Sequence, residues 1–121
     1  MMDEIIANEF TYTEVRCRIN LIKEYLNVYL TELESIVNIK SQCYVELESS
    51  VMFAFIRIFI FIPINTDKFS VEDDVICELR FRLIRGDNNM VYFLLEEETK
   101  EILIKSIKDL IIYVIYKLLI K

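Results

Sequence analysis

Val51–Ile64 reads VMFAFIRIFIFIPI, and its alternation decides the fold. In an extended strand, successive side chains point to opposite faces. Met52, Ala54, Ile56, Ile58, Ile60 and Ile62 then form an aliphatic row on one face. Phe53, Phe55, Arg57, Phe59 and Phe61 form the other, four phenylalanines around one arginine. A strand that is apolar on both faces needs cover on both sides. A chain of 121 residues has few elements to supply two covers, so part of the second is expected from another molecule.

Working outward, Cys43, Val45 and Leu47 alternate with Tyr44, Glu46 and Glu48, a strand pattern that ends at the Ser49-Ser50 turn. Pro63 stops the Phe/Ile strand, because it lacks the amide a central ladder needs. Residues 65–74 (NTDKFSVEDD) form the one sustained polar loop. Val75, Cys77, Leu79, Phe81 and Leu83 then alternate with Ile76, Glu78, Arg80 and Arg82, a half-buried strand. Gly86, Asp87, Asn88 and Asn89 suit a hairpin turn, and the chain returns through Met90–Glu96.

Helices flank the strands. Val15, Ile19, Ile22, Leu26, Tyr29, Leu33 and Ile36 recur in steps of four and three, which predicts a helix over 14–38 with Thr13 as its N-cap. Leu103, Ile107, Leu110, Ile111, Val114 and Leu118 predict a second helix over 99–119. After Asp109 that segment is apolar almost all round, so it is expected to be buried on more than one side. The order is helix, four strands, helix: a single α+β domain over 1–121 with a mostly antiparallel meander sheet.

Both helices need the aliphatic sheet face made by Val45, Leu47, the Ile row and Val75 through Leu83. The opposite face then carries Glu46, Glu48, Glu78, Arg80 and Arg82 with the Phe row and Arg57. A charged rim around an aromatic centre has the composition of an interface patch. Phe53, Phe55, Arg57, Phe59, Phe61, Arg80 and Arg82 are therefore the candidate partner or dimer interface. Arg57 is expected to pair with Glu46, Glu48 or Glu78 across the strands, or to stack among the phenylalanines.

Phe53, Ala54, Phe55 and Ile56 resemble the aromatic strand of the RNA-recognition motif, whose rings stack on bases. Val51 and Met52 stand where that motif has a basic residue and a glycine, and Ile58 replaces its closing aromatic. The order of elements also departs from that fold, which alternates strands and helices. The phenylalanines are read as structural cover and not as a base platform.

Composition narrows the function. With 55% hydrophobic residues, one glycine and one proline, nearly the whole chain belongs in regular structure. The net charge of −6 argues against nucleic acid and against an anionic membrane surface, and favours a neutral or basic protein partner. The chain has no histidine, and one glycine cannot make a phosphate-cradling loop. No catalytic, cofactor-binding or metal residue is assigned. A carboxylate enzyme would need Glu72, Asp73, Asp74 or the run Glu96–Glu98 to hold Mg²⁺, but these read as a solvated loop and an acidic lead-in to the last helix. Asp67, Glu72, Asp73 and Asp74, together with the run Glu96–Glu98, are instead expected to steer a partner.

Cys17, Cys43 and Cys77, odd in number and each in an apolar register, are read as buried free thiols of a reducing compartment. The opening MMDEIIANEF has neither a basic region nor a long apolar core and is not read as a signal peptide. Lys105, Lys108, Asp109 and Lys117 interrupt the apolar C-terminal stretch, which is read as a buried helix and not a membrane span. Arg85-Gly86-Asp87 at the hairpin tip is read as a chance tripeptide.

The expectation is a cytoplasmic, homodimeric, non-catalytic protein-binding module: a small acidic inhibitor, immunity or anti-defence protein that occludes a partner's basic site. A structural homo-oligomer subunit or a secretion-type chaperone or adaptor is the alternative.

Overall fold

The computed structural model describes residues 5–7, 10–50, 52–64 and 73–120. Two short strands, β1 (Ile5–Ala7) and β2 (Phe10–Thr11), pair with each other ahead of helix α1 (Tyr12–Val37). Then follow β3 (Gln42–Ser49), β4 (Ala54–Ile62), β5 (Asp74–Arg85), β6 (Val91–Glu96), β7 (Glu101–Ile104) and helix α2 (Ile107–Leu119). Strands β3 to β7 form one antiparallel sheet in chain order, a meander without crossovers. The α+β class read from the sequence holds, with five strands in the main sheet instead of four.

Helix α1 begins at Tyr12, two residues before the predicted start, and its N-cap is Thr11 instead of Thr13. The Thr11 hydroxyl accepts from the Glu14 amide at 3.3 Å, and the Glu14 carboxylate accepts from the Thr11 amide at 3.0 Å. That reciprocal box satisfies two amides that would otherwise lack partners, which is why the helix starts there. It ends at Val37, where Asn38 turns left-handed (φ 57°) and donates its amide to the Glu34 carbonyl at 2.9 Å. Val15, Ile19, Ile22, Leu26 and Leu30 form its buried stripe.

Below α1 lies the aliphatic row. Ala54, Ile56, Ile58 and Ile60 are buried, and register places Ile56 between Leu47 and Phe81 and Ile58 between Val45 and Leu79. Each such isoleucine contributes roughly 2–3 kcal/mol through burial. Phe93, Leu95, Ile104, Leu110, Ile111 and Val114 complete the core. The ends of the predicted row fall outside it: Met52 precedes the strand and is exposed, and Ile62 is half-buried at the strand end.

Three further expectations are corrected. Ile60 pairs with Cys77 but Phe61 pairs with Val75, so Ile76 is an extra residue and the register slips. The slip moves Val75 off the core face, where the sequence had placed it, and Ile76 packs on the core in its stead. Residues 101–104, read as the start of the last helix, are β7. Ile102 and Ile104 face the core there, and Leu103 points outward. The Leu103–Ile107 spacing fits a helix, but pairing with β6 satisfies that strand's remaining edge. The helix begins instead after Ser106, whose hydroxyl accepts from the Asp109 amide at 3.1 Å. Finally, α2 buries one side only: Leu110, Ile111 and Val114 are inside, while Ile112, Tyr116 and Leu119 are more than half exposed.

The hairpin turn forms as read, with Asn88 and Asn89 at φ 55° and 61°. Gly86 has a negative φ. Its lack of a side chain matters because a Cβ would run into the Tyr92 ring. The three cysteines are free, but only Cys77 is buried. Cys43 is half-buried and Cys17 lies exposed on the solvent side of α1, contrary to the buried reading. Among the described residues, no helix is long and apolar enough to cross a membrane.

Candidate functional site on the sheet face away from the helices

Both helices lie on the aliphatic side, so the other face of the sheet presents the alternate residues of each strand. Register sets Glu46, Arg57 and Arg80 in one row across β3, β4 and β5. The next row is Glu48, Phe55, Arg82 and Leu94, and on the other side lie Tyr44, Phe59 and Glu78. The predicted interface residues are thus brought together on one surface.

Two arginines directly opposite one another repel. Arg57 and Arg80 tolerate the juxtaposition because Glu48 lies between them, 3.5 Å from Arg57 Nε and 2.8 Å from Arg80 Nη2. Arg57 also reaches Glu46 at 3.3 Å and Glu78 at 2.6 Å. The Glu78 carboxylate, hydrogen-bonded to the Arg57 guanidinium, raises the arginine's already high pKa. Arg82 meets Glu96 at 3.3 Å.

Each guanidinium also covers a ring. Arg80 lies 3.6 Å from the Phe55 centroid, Arg82 4.6 Å from Phe53, and Arg57 4.9 Å from Phe59. At such half-exposed sites each stack and each ion pair contributes about 1 kcal/mol or less. Their larger effect is order: every arginine is fixed between a carboxylate and a ring, so little side-chain entropy remains to be lost on binding.

Not every predicted residue is exposed on that surface. Phe59 and Phe61 are buried, at 8% and 1% exposure, and Phe59 lies under the Arg57 guanidinium and beside the Tyr44 ring. Phe53, Phe55, Arg80, Arg82 and Glu96 instead surround an open groove of about 360 Å³ with Leu94 in its lining. Sequence reasoning missed Leu94, and it read Glu96 as part of an acidic run without placing it at the groove. The alternation of Leu94 with Phe93 and Leu95 was the signal that would have placed it outward. Arg57 borders a neighbouring hollow with Glu48, Glu78 and Arg80.

Of the predicted steering carboxylates, Asp67 and Glu72 lie outside the described residues. Asp73 accepts from the Ile64 amide at 3.1 Å, and Asp74 is exposed at the start of β5. The acidic run after β6 is divided between two tasks. Glu96 holds Arg82, while Glu97 accepts from the Tyr113 hydroxyl at 3.0 Å and meets Lys117 at 3.2 Å, tying α2 to the sheet. The hydrogen bond from Lys117 lowers the pKa of Glu97. At the hairpin tip, Arg85 donates to the Asn89 carbonyl at 3.1 Å. It binds Glu14 through two contacts, at 2.7 and 3.1 Å, and covers the Phe10 ring at 4.6 Å.

Among the described residues no polar or charged side chain is buried, and no group of three or more Cys, Asp and Glu is placed to hold a metal ion. No protein-family model matches the chain, nor does any curated protein or solved structure.

Proposed function

We propose that this chain is a non-catalytic protein-binding module, a small acidic inhibitor of the immunity or anti-defence kind. In this reading the sheet face away from the helices occludes a basic site on another protein. The carrying observation is the pre-ordered groove of Phe53, Phe55, Arg80, Arg82 and Leu94 on a face that neither helix covers. Aromatic rings and arginines dominate binding hot spots, and rigid ones bind at lower entropic cost. On this face Glu46, Glu48, Glu78 and Glu96 outnumber Arg57, Arg80 and Arg82, and the chain's net charge of −6 adds a longer-range field. A basic surface is drawn by that field and matched locally by the carboxylates. The arginines in turn meet carboxylates or carbonyls within the target site.

A structural homo-oligomer subunit is the second reading, favoured by the exposed apolar side chains of both helices. The test immobilises the full chain, captures target from cell extract, and repeats the capture with Phe55→Asp and Arg80→Glu. Both positions are partly or fully exposed, so the variants are expected to fold, which a circular dichroism melt checks. The expected result is a protein retained by the wild-type chain, released by salt, and lost from both variants. Equal retention by wild type and variants would remove the sheet face from the function.

A further inference from the structure

We infer that a second copy of this chain docks on the outer surface of the helix layer, leaving the sheet face free. This rests on a different surface from the proposed target site and stands without it. Helices α1 and α2 run side by side in the same direction. Arg18 and Leu21 share a cleft with Ile107, and further along Leu21, Tyr25 and Tyr29 share the next with Ile107, Lys108 and Ile111. That second cleft is an open groove of about 410 Å³.

Around it the helices leave large apolar side chains in solvent. Tyr25 is 47% exposed, Val28 53% and Tyr29 43% on α1; Ile112 is 54%, Tyr116 55% and Leu119 59% on α2. Together these six side chains present about 600 Å² per copy, the upper end of what a soluble monomer normally leaves in one patch. Two such patches pressed together bury about 1,200 Å², the threshold for a stable specific interface. A two-fold places the same patch against itself, so ring and aliphatic surface meet like surface.

Charge selects the arrangement. A two-fold axis parallel to the helices lays α1 of one copy along α2 of the other and keeps the heights of both. Leu21 and Ile107 line both clefts and so lie level, which puts Glu24 and Lys108 within one helical turn of the same height. Glu24 of each copy therefore faces Lys108 of the other, and both side chains are exposed and available to pair. The symmetry makes two such pairs at the rim of the apolar patch.

Size-exclusion chromatography with light scattering tests this on the full chain. The wild type is expected at twice 14.5 kDa. Val28→Glu and Ile112→Glu are each expected at the monomer mass with an unchanged far-ultraviolet spectrum. Glu24→Lys brings like charges together twice and weakens the dimer roughly tenfold, while Glu24→Lys with Lys108→Glu restores it. The swap alone decides the matter if an apolar variant fails to fold. A native chain that stays monomeric at its highest soluble concentration overturns the inference. So does a dimer that survives Val28→Glu and Ile112→Glu, or one lost to Phe55→Asp, which would place self-association on the sheet.

Discussion

Replacing Glu14 by glutamine removes one charge from the joint between α1 and the sheet while leaving the helix cap in place. Glu14 Oε1 and Oε2 receive the Arg85 guanidinium at 2.7 and 3.1 Å, with the two side chains 25% and 17% exposed. Oε1 also accepts from the Thr11 amide, a role glutamine retains at this position of a capping box. Hydrogen bonds to charged groups contribute about 1.5–3 kcal/mol when shielded, and partial solvent screening reduces this pair to about 1–2 kcal/mol. Glu14→Ala also removes the bond from the Thr11 amide, half of the capping box, for about 2–3 kcal/mol in all. At this chain length 1 kcal/mol moves Tm by about 4 °C, so the expected losses are about 4–8 °C and 8–12 °C.

The pH dependence has a definite sign. The Arg85 hydrogen bond holds the Glu14 carboxyl below its ordinary 4.5, overcoming the opposing effect of burial. A carboxyl depressed in the folded state stabilises fully above its unfolded pKa, and that stability is lost as pH falls through the folded value. Calorimetric melts of wild type and Glu14→Gln should therefore differ at neutral pH and converge below 4.5. No difference at neutral pH, or a gap that persists undiminished into acid, would refute the ion pair as the source.

Two further outcomes follow from burial. Ile58→Ala empties a site between Val45 and Leu79 that is 1% exposed, and urea titration should show a loss of about 3–4 kcal/mol. A loss under about 1 kcal/mol would mean that the aliphatic row does not hold the helices to the sheet. Cys17 is exposed, whereas desolvation pushes the Cys43 thiol up to about 11, so alkylation mapped by mass spectrometry should label Cys17 well before Cys43 in the native chain. A raised thiol pKa leaves stability flat up to 9.0 and erodes it from there to about 11. Equal labelling rates would contradict the enclosure of Cys43.

The alternation in VMFAFIRIFIFIPI was enough to separate a helix-facing row from an arginine–phenylalanine row, because period two leaves a strand no other choice. Pairing of Arg57 with all three glutamates followed from the same parity. The errors lie where parity is interrupted or ambiguous. A one-residue bulge at Ile76 carries no sequence mark, so Val75 was placed on the wrong face. ILIK at 102–105 suits either period, and only β6's free edge decides for a strand. Two cap signals were readable and went unused: Thr11 with Glu14, and Ser106 with Asp109. Depth was the least legible property. Phe59 and Phe61 looked like Phe53 and Phe55 but are buried, and α2 looked buried all round but is half bare. How many layers cover a residue depends on the number of elements, not on its neighbours in sequence.

The strand order of the sheet also governs how the molecule can be assembled. Because β3 to β7 each pair only with a chain neighbour, the sheet can grow one hairpin at a time as the chain emerges, with only the β4–β5 connection (63–73) longer than a tight turn. The last element does the sealing. Leu110, Ile111 and Val114 of α2 belong to one core with Phe81 and Phe93, and they follow every strand along the chain. Until they arrive, that half of the aliphatic face is open to water. A chain stalled or cut before Ile107 would carry a nearly complete sheet with an unsealed apolar face, the form most prone to sticking to others of its kind.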